Sequence, residues 1–384
     1  MKRVVLLGGG HAHVHVLQGL ASRRLASAEV VLVTPHASLL YSGMVPGLVA
    51  GRFTAEACAI GLAPLAAAAG VRWVEAAAAR LDASKRRLEL SDGQIAEYDL
   101  LSVDTGSVIH RDRIPGAREH GLFVRPIEHF VRLLDGVFDL GSRRALDLVV
   151  IGAGAAGVEL ALGFEQRLRG LAAGGTPVAR VALVTGGPAP LEGLADGAIE
   201  RAHRLLVRRR ITVFREPCSR IDASAVHLGE HGTRLACDVP VIATGGEAPA
   251  WLGDSGLALD EHGFIATGAT LQSLSHAEVF AAGDVASRPD APHARSGVYA
   301  VRAGPHLLVN LRAAVAGAAL SPYQPQRRAL SLIACGDGRA IASWGGWSAQ
   351  GRWVGRWKDR IDLAFMQSFR QPGAALTPAA GTPR

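Results

Sequence analysis

Leu148-Val149-Val150-Ile151-Gly152-Ala153-Gly154-Ala155-Ala156-Gly157 joins a short apolar run to three glycines spaced GxGxxG, and small residues continue beyond it. The uninterrupted apolar run predicts a strand buried on both faces of a parallel sheet. The glycines permit a tight turn, let backbone approach a pyrophosphate and allow close helix–strand packing. The helix that follows offers unpaired N–H groups and positive potential to an anion. A second apolar run ending at Thr185 completes a βαβ unit from Leu148 to Thr185. A ligand-free tight turn is the plain alternative for any such motif; the strand before it and the helix after it favour a phosphate cradle, with Gly152, Gly154 and Gly157 as its candidates.

Working outward, Val4 to Thr34 repeats the design with Gly8-Gly9-Gly10-His11-Ala12-His13 at the turn. His13 stands where the third glycine belongs, so looser helix–strand packing is expected there. Neither unit carries the acidic residue that ordinarily ends the second strand and holds an adenosine ribose; Thr34 and Thr185 occupy those places. A hydroxyl does not replace a two-oxygen acceptor, and Gly186 and Gly187 bring no arginine for a 2′-phosphate, so neither NADH nor NADPH is selected. Further strands are expected at Leu100 to Val103, Val239 to Ala243 and Glu278 to Ala282. Each runs into a glycine-containing end where an open parallel sheet binds ligands, which adds Thr105, Gly106, Gly245, Gly283 and Asp284. An aspartate at a strand end can accept hydrogen bonds from the ribitol hydroxyls of a flavin, and Gly283 lets the cofactor come close.

The expected class is α/β: two interleaved Rossmann-like domains, one for FAD and one for NAD(P), plus a small C-terminal region. The boundaries are read as 1–125 and 256–318 for the two parts of the FAD-binding domain, 126–255 for the NAD(P)-binding domain, and 319–384 for a dimer- or membrane-facing region whose tail after Gln371 frays. Leu88 to Tyr98 reads as a β-hairpin turning at Ser91-Asp92-Gly93. A length of 384 residues accommodates two or three domains, and 49% hydrophobic against 20% charged residues excludes disorder. The net charge of +7 suits anionic cofactors, nucleic acid or anionic membrane alike. No apolar stretch reaches a membrane-spanning length of about 18–20 residues. Cys58, Cys218, Cys237 and Cys335 are scattered without CxxC spacing, which points to a reduced, cytoplasmic setting and against disulfide-reductase chemistry.

The motifs and their order over residues 1 to about 310 resemble the two-dinucleotide-domain flavoprotein superfamily that includes type II NADH dehydrogenases and sulfide:quinone reductases. Gly8 to His13, Tyr41-Ser42-Gly43-Met44-Val45-Pro46-Gly47, Gly297-Val298-Tyr299-Ala300-Val301-Arg302 and Gly336-Asp337-Gly338-Arg339-Ala340 resemble more closely the NADH-dehydrogenase-like module fused to selenide, water dikinase. The resemblance implies Gly8, Gly10 and His13 at the FAD pyrophosphate, Asp284 on ribitol and Pro46 near the isoalloxazine; Gly9 and Thr34 join them as candidate cofactor-binding residues. Glu159 matches a glutamate implicated in proton delivery to quinone. Its alternative is a first-turn glutamate favoured by the helix dipole.

His11, His13 and His15 alternate at a turn and helix start, where they do not share a face, so no metal is expected; His11 or His13 donating to a cofactor phosphate is the favoured use. Trp353, Trp357, Ile361 and Phe365 recur every four residues among Arg352, Arg356, Lys358 and Arg360. That stripe fits a helix lying on the inner face of a membrane or packing on its own sheet or across a homodimer, with Asp359 and Asp362 interrupting the basic face. The leading expectation is hydride transfer from NAD(P)H to FAD and on to a small acceptor, quinone being the candidate. A sulfide- or selenium-compound oxidase and an FAD-bound, non-catalytic partner-binding protein are the alternatives. No recognised nucleic-acid module is present.

Overall fold

The computed structural model describes residues 1–172, 179–230 and 232–369, and the chain divides into two compact units. The first takes Met1–Leu39, Ala59–Val108 and Gly246–Arg327, and the second takes Leu40–Cys58, Ile109–Gly245 and the chain from Arg328 onward. The breaks at 108, 245 and 327 stand against the expected 125, 255 and 318. Leu40–Cys58 and the C-terminal strands and helix group with the second unit. The tail after Gln371 lies outside the described residues.

In the first unit a five-stranded parallel sheet runs in the order Val279–Ala281, Leu100–Val103, Lys2–Leu7, Ala28–Val33, Arg72–Val74. In the second, the order Leu122–Phe123, Val239–Ile242, Asp147–Ile151, Arg180–Val184, Thr212–Phe214 repeats that plan, again parallel throughout. Both sheets place the glycine-rich strand at the centre. Apolar runs explain the position: Val4 to Leu7 and Leu148 to Ile151 are buried along their length, and each such side chain contributes roughly 1.5–3 kcal/mol by leaving water. Each unit adds an antiparallel three-stranded sheet, Ala78–Asp82, Arg87–Leu90 and Ile95–Glu97 in the first, and Cys218–Asp222, Ala225–Leu228 and Thr233–Ala236 in the second. The turn at Gly93 is the expected hairpin turn, its N–H donating to Leu90 O with φ +82°.

In the second unit, strands Ser331–Ala334, Ala340–Trp344 and Trp347–Gly351 form an antiparallel sheet that leads into the helix Arg352–Ser368. Of the alternatives for its tryptophan stripe, packing on the protein's own sheet is the one this helix does not adopt. Trp353, Trp357 and Ile361 are exposed, whereas Val354, Gly355, Lys358, Asp362 and Met366 are buried. Lys358 and Asp362 stand one turn apart and pair, which offsets part of the cost of burying two charges.

Candidate active site

In the first unit, the helix His11–Ser22 begins directly after Gly8-Gly9-Gly10, and Asp104 fills the space below that turn. Asp104 Oδ2 accepts from the N–H groups of Ala12 at 2.8 Å and His13 at 2.9 Å. A methyl group added to Gly10 would meet the Asp104 carboxyl at 2.5 Å, and one on Gly283 would meet Asp104 Oδ1 at 2.5 Å. Both glycine turns therefore close on one carboxylate. Gly9 packs against Leu62 and approaches the Thr34 hydroxyl. Thr105 Oγ1 and Tyr323 Oη are among three hydroxyls of this unit, with Tyr98 Oη, that are buried without a hydrogen-bond partner, and Gly106 adopts φ +71° with open space beside it. A pocket lined by Gly283, Asp284, Arg288, His293, Tyr299 and Tyr323 opens at the same strand end. Unsatisfied hydroxyls beside an open glycine turn fit the polar groups of a dinucleotide.

His13 is a correction to the expectation of loose packing and of a phosphate donor. The ring is fully buried; Nδ1 donates to Gly8 O at 2.6 Å and Nε2 accepts from the Ser102 hydroxyl at 2.8 Å. Both nitrogens are occupied, so the ring ties the glycine turn to the neighbouring strand. His15 lies against the helix Gly297–Ala316, where a Gly304 methyl would meet its Cβ at 2.7 Å. His11 stands close enough to Asp104 to act on its charge.

Burial lowers the His13 imidazole to about 4, and burial raises the Asp104 carboxyl to about 6 against the two backbone N–H groups that hold it down. The stability contributed by His13 is fully present above its unfolded value near 6.5 and is lost as the pH falls towards 4. Asp104 acts oppositely: its contribution is present below about 3.8 and is lost as the pH rises through 6. The two offset each other on acidification. Asp104→Asn is expected to unmask the histidine, costing about 2–3 kcal/mol between pH 7 and 4.5 where the parent changes little. Denaturant titration at the two pH values measures it.

The second unit's turn is open by comparison. Ala243 stands where Asp104 stands in the first, and Gly154, Ala155 and Ala156 are exposed. Gly152 has φ +108° and lies against Ala243 O, Gly157 packs on Gly152 O, and nothing lies within 4 Å of a methyl on Gly154 or Gly245. The close approaches occur where the turn and packing need glycine, and Gly154, one of the open positions, is the N-cap of the helix Ala155–Leu171. Pro46 belongs to this unit, buried with its carbonyl oxygen 3.2 Å from a Gly163 methyl position.

Two residues past Gly157, the Glu159 carboxyl is held by the end of the strand Ser331–Ala334. Oε1 accepts from Ala334 N–H at 2.7 Å. Burial raises this carboxyl to about 7; the Lys358 ammonium and the Ala334 N–H oppose the rise and Asp362 adds to it. Lys358 Nζ donates to Gly43 O at 2.6 Å and to Asp362 Oδ2 at 2.7 Å. The Tyr41 hydroxyl donates to Asp362 Oδ1 at 3.2 Å, and Tyr41 stacks on Phe365. Segments around 41, 159, 334 and 358 thus converge on one buried charge cluster within the second unit. A carboxyl that titrates near neutrality is fitted to give and take protons.

With this geometry in view, the sequence matches the family described as pyridine nucleotide-disulphide oxidoreductase over residues 2–304. The chain belongs to that family. Among its relatives is an NADH dehydrogenase-like protein of Mycobacterium tuberculosis, 30% identical over 305 residues, 76% of this chain and 75% of the relative. Two solved structures share the fold. Sulfide:quinone oxidoreductase from Aquifex aeolicus has TM-score 0.80 at 16% identity, covering 96% of this chain and 92% of its own. NDH2 from Plasmodium falciparum in complex with NADH has TM-score 0.79 at 12% identity, covering 96% and 97%. This member of the family is an oxidoreductase of NADH-dehydrogenase-like type, and the name's disulphide chemistry finds no cysteine pair here. Burial pushes the Cys58, Cys237 and Cys335 thiols up to about 12, so they stay protonated and unreactive.

Sequence reasoning missed Asp104, Lys358, Asp362 and Tyr41. Asp104 sat inside a strand end already singled out. Lys358 and Asp362 were legible only as an i, i+4 pair on the helix, assigned to the wrong face.

Proposed function

We propose that the chain takes hydride from NAD(P)H held by the second unit, uses FAD held by the first, and delivers electrons to quinone. FAD when bound supplies the hydride-accepting and electron-passing chemistry. In the first unit Gly8, Gly9 and Gly10 would admit the pyrophosphate, Thr105, Gly106 and Gly283 would line it, and Asp284 would hold ribitol. In the second unit Gly152, Gly154, Gly157 and Gly245 would hold the nicotinamide dinucleotide. The observation that carries the reading is this second cradle, complete in its glycines and open at its helix N-terminus. Glu159 holds the transferable proton on Oε2, because Oε1 already accepts from Ala334, and Lys358 and Asp362 set how readily it leaves. Quinone fits because its reduction consumes protons as well as electrons. Anaerobic addition of NADH, then separately NADPH, to the purified yellow protein is expected to bleach the flavin absorbance. Persistent colour with both donors would remove the nicotinamide reading and favour a sulfur-type donor.

The exposed Trp344, Trp347, Trp353, Trp357 and Ile361, with Arg352, Arg356 and Arg360 on the same helix, suit docking on an anionic bilayer. No described helix is long and apolar enough to cross a membrane. Cosedimentation with phosphatidylglycerol vesicles, lost in Trp353→Ser/Trp357→Ser, is expected. A protein that stays in the supernatant and elutes at twice its mass would replace the membrane with a second copy.

A further inference from the structure

The strand Arg180–Val184 ends without the acidic residue that holds an adenosine ribose, and Thr185 offers no substitute. Its hydroxyl donates to Gly187 O and accepts from Gly187 N–H at 3.1 Å, closing a turn on itself. The loop beyond then takes an unusual course. Leu191 is buried with φ +59°, a left-handed conformation that costs a bulky L-residue roughly 1–2 kcal/mol. Its N–H donates to Ala153 O at 2.9 Å, and Leu194 N–H donates back to Leu191 O at 3.1 Å. The loop is thereby pinned to the middle of the glycine motif itself. The residue that follows the strained position is Glu192, whose Oε2 lies 3.4 Å from the point a Gly187 side chain would occupy. A carboxylate from a loop thus reaches the strand end where this fold places the adenosine ribose.

We propose that Glu192 is the ribose anchor of the second unit and that it selects NADH over NADPH. The inference rests on reading the Gly152–Gly157 cradle as a nicotinamide dinucleotide site. A carboxylate accepts from both ribose hydroxyls, and its charge opposes a 2′-phosphate. The opposite preference has its own candidate, Arg215, exposed just past the neighbouring strand Thr212–Phe214. Glu192 is exposed and unburdened by packing, so its substitution tests recognition without threatening the fold.

The test is calorimetric titration of the FAD-loaded protein with NAD⁺ and with NADP⁺, neither of which turns over. NAD⁺ is expected to bind at least about tenfold tighter than NADP⁺. Glu192→Gln is expected to weaken NAD⁺ about tenfold, the loss of one to two charge-assisted hydrogen bonds, and to tighten NADP⁺ by relieving the repulsion of its 2′-phosphate. Glu192→Arg is expected to reverse the preference. NAD⁺ affinity within twofold of the parent in Glu192→Gln overturns the anchor while leaving the cradle standing. Tighter NADP⁺ binding by the parent overturns it in favour of Arg215. Absence of heat with both dinucleotides overturns the cradle reading and the anchor with it.

Discussion

Replacing Glu159 by glutamine is expected to slow reoxidation of the reduced protein by a soluble quinone by about 10²–10³-fold, the range for removing a positioned proton donor. Bleaching by NADH should stay within about threefold of the parent, because hydride transfer draws no proton from the Glu159 carboxyl, which is bonded to Ala334 and acted on by the Lys358 charge. In the parent the protonated carboxyl is the donor, so reoxidation should fall as pH rises through about 7, the value to which burial lifts it. The glutamine variant should show no such fall. The neighbours supply a sharper check, since they act on Glu159 in opposite directions. Lys358→Met removes a charge that lowers the Glu159 value and should move the fall to higher pH. Asp362→Asn removes one that raises it and should move the fall to lower pH. Each also breaks a buried pair, at a cost of about 3–5 kcal/mol, so thermal unfolding must be followed alongside. Shifts of equal sign in both variants would reduce the cluster to a structural one.

Two neighbouring glycines separate folding from binding in the second cradle. A methyl on Gly157 would stand 1.8 Å from Gly152 O and 2.8 Å from its carbonyl carbon, a clash with backbone that no rotamer relieves. Gly157→Ala is expected to cost about 3 kcal/mol, at the upper end for overpacking, and to lower the melting temperature of its unit by roughly 6–12 °C. Gly154 is different: φ is −64° and nothing lies within 4 Å of an added methyl. Gly154→Ala should leave stability within about 1 kcal/mol yet weaken nicotinamide dinucleotide binding by at least about tenfold, because the methyl enters the space the pyrophosphate needs. Unaltered NADH binding by Gly154→Ala would show that the open turn holds nothing.

The reach of the sequence follows from the range over which its signals act. Glycine spacing, β-branched runs and strand-end dipeptides are local properties, and they were enough to locate both cradles, the strands that carry them and the hairpin at Gly93. The Trp353 stripe was also local, and there periodicity placed a helix correctly while leaving its inward face undecided. Lys358 and Asp362 go inward because Gly43 O and Tyr41 meet them there, contacts some 315 residues away in sequence for Lys358 and Gly43. His13 looked like a damaged glycine motif until the fold brought Ser102 to its far nitrogen, and Asp104 looked like part of a turn until both glycine loops closed on it. Glu192 reaches Gly187 only through a loop held in a conformation that Leu191 would not choose alone. Sequence by itself determined where the two glycine turns and their strands form; tertiary structure decided which charges are desolvated and paired, because burial and hydrogen bonding depend on neighbours that only the folded chain supplies.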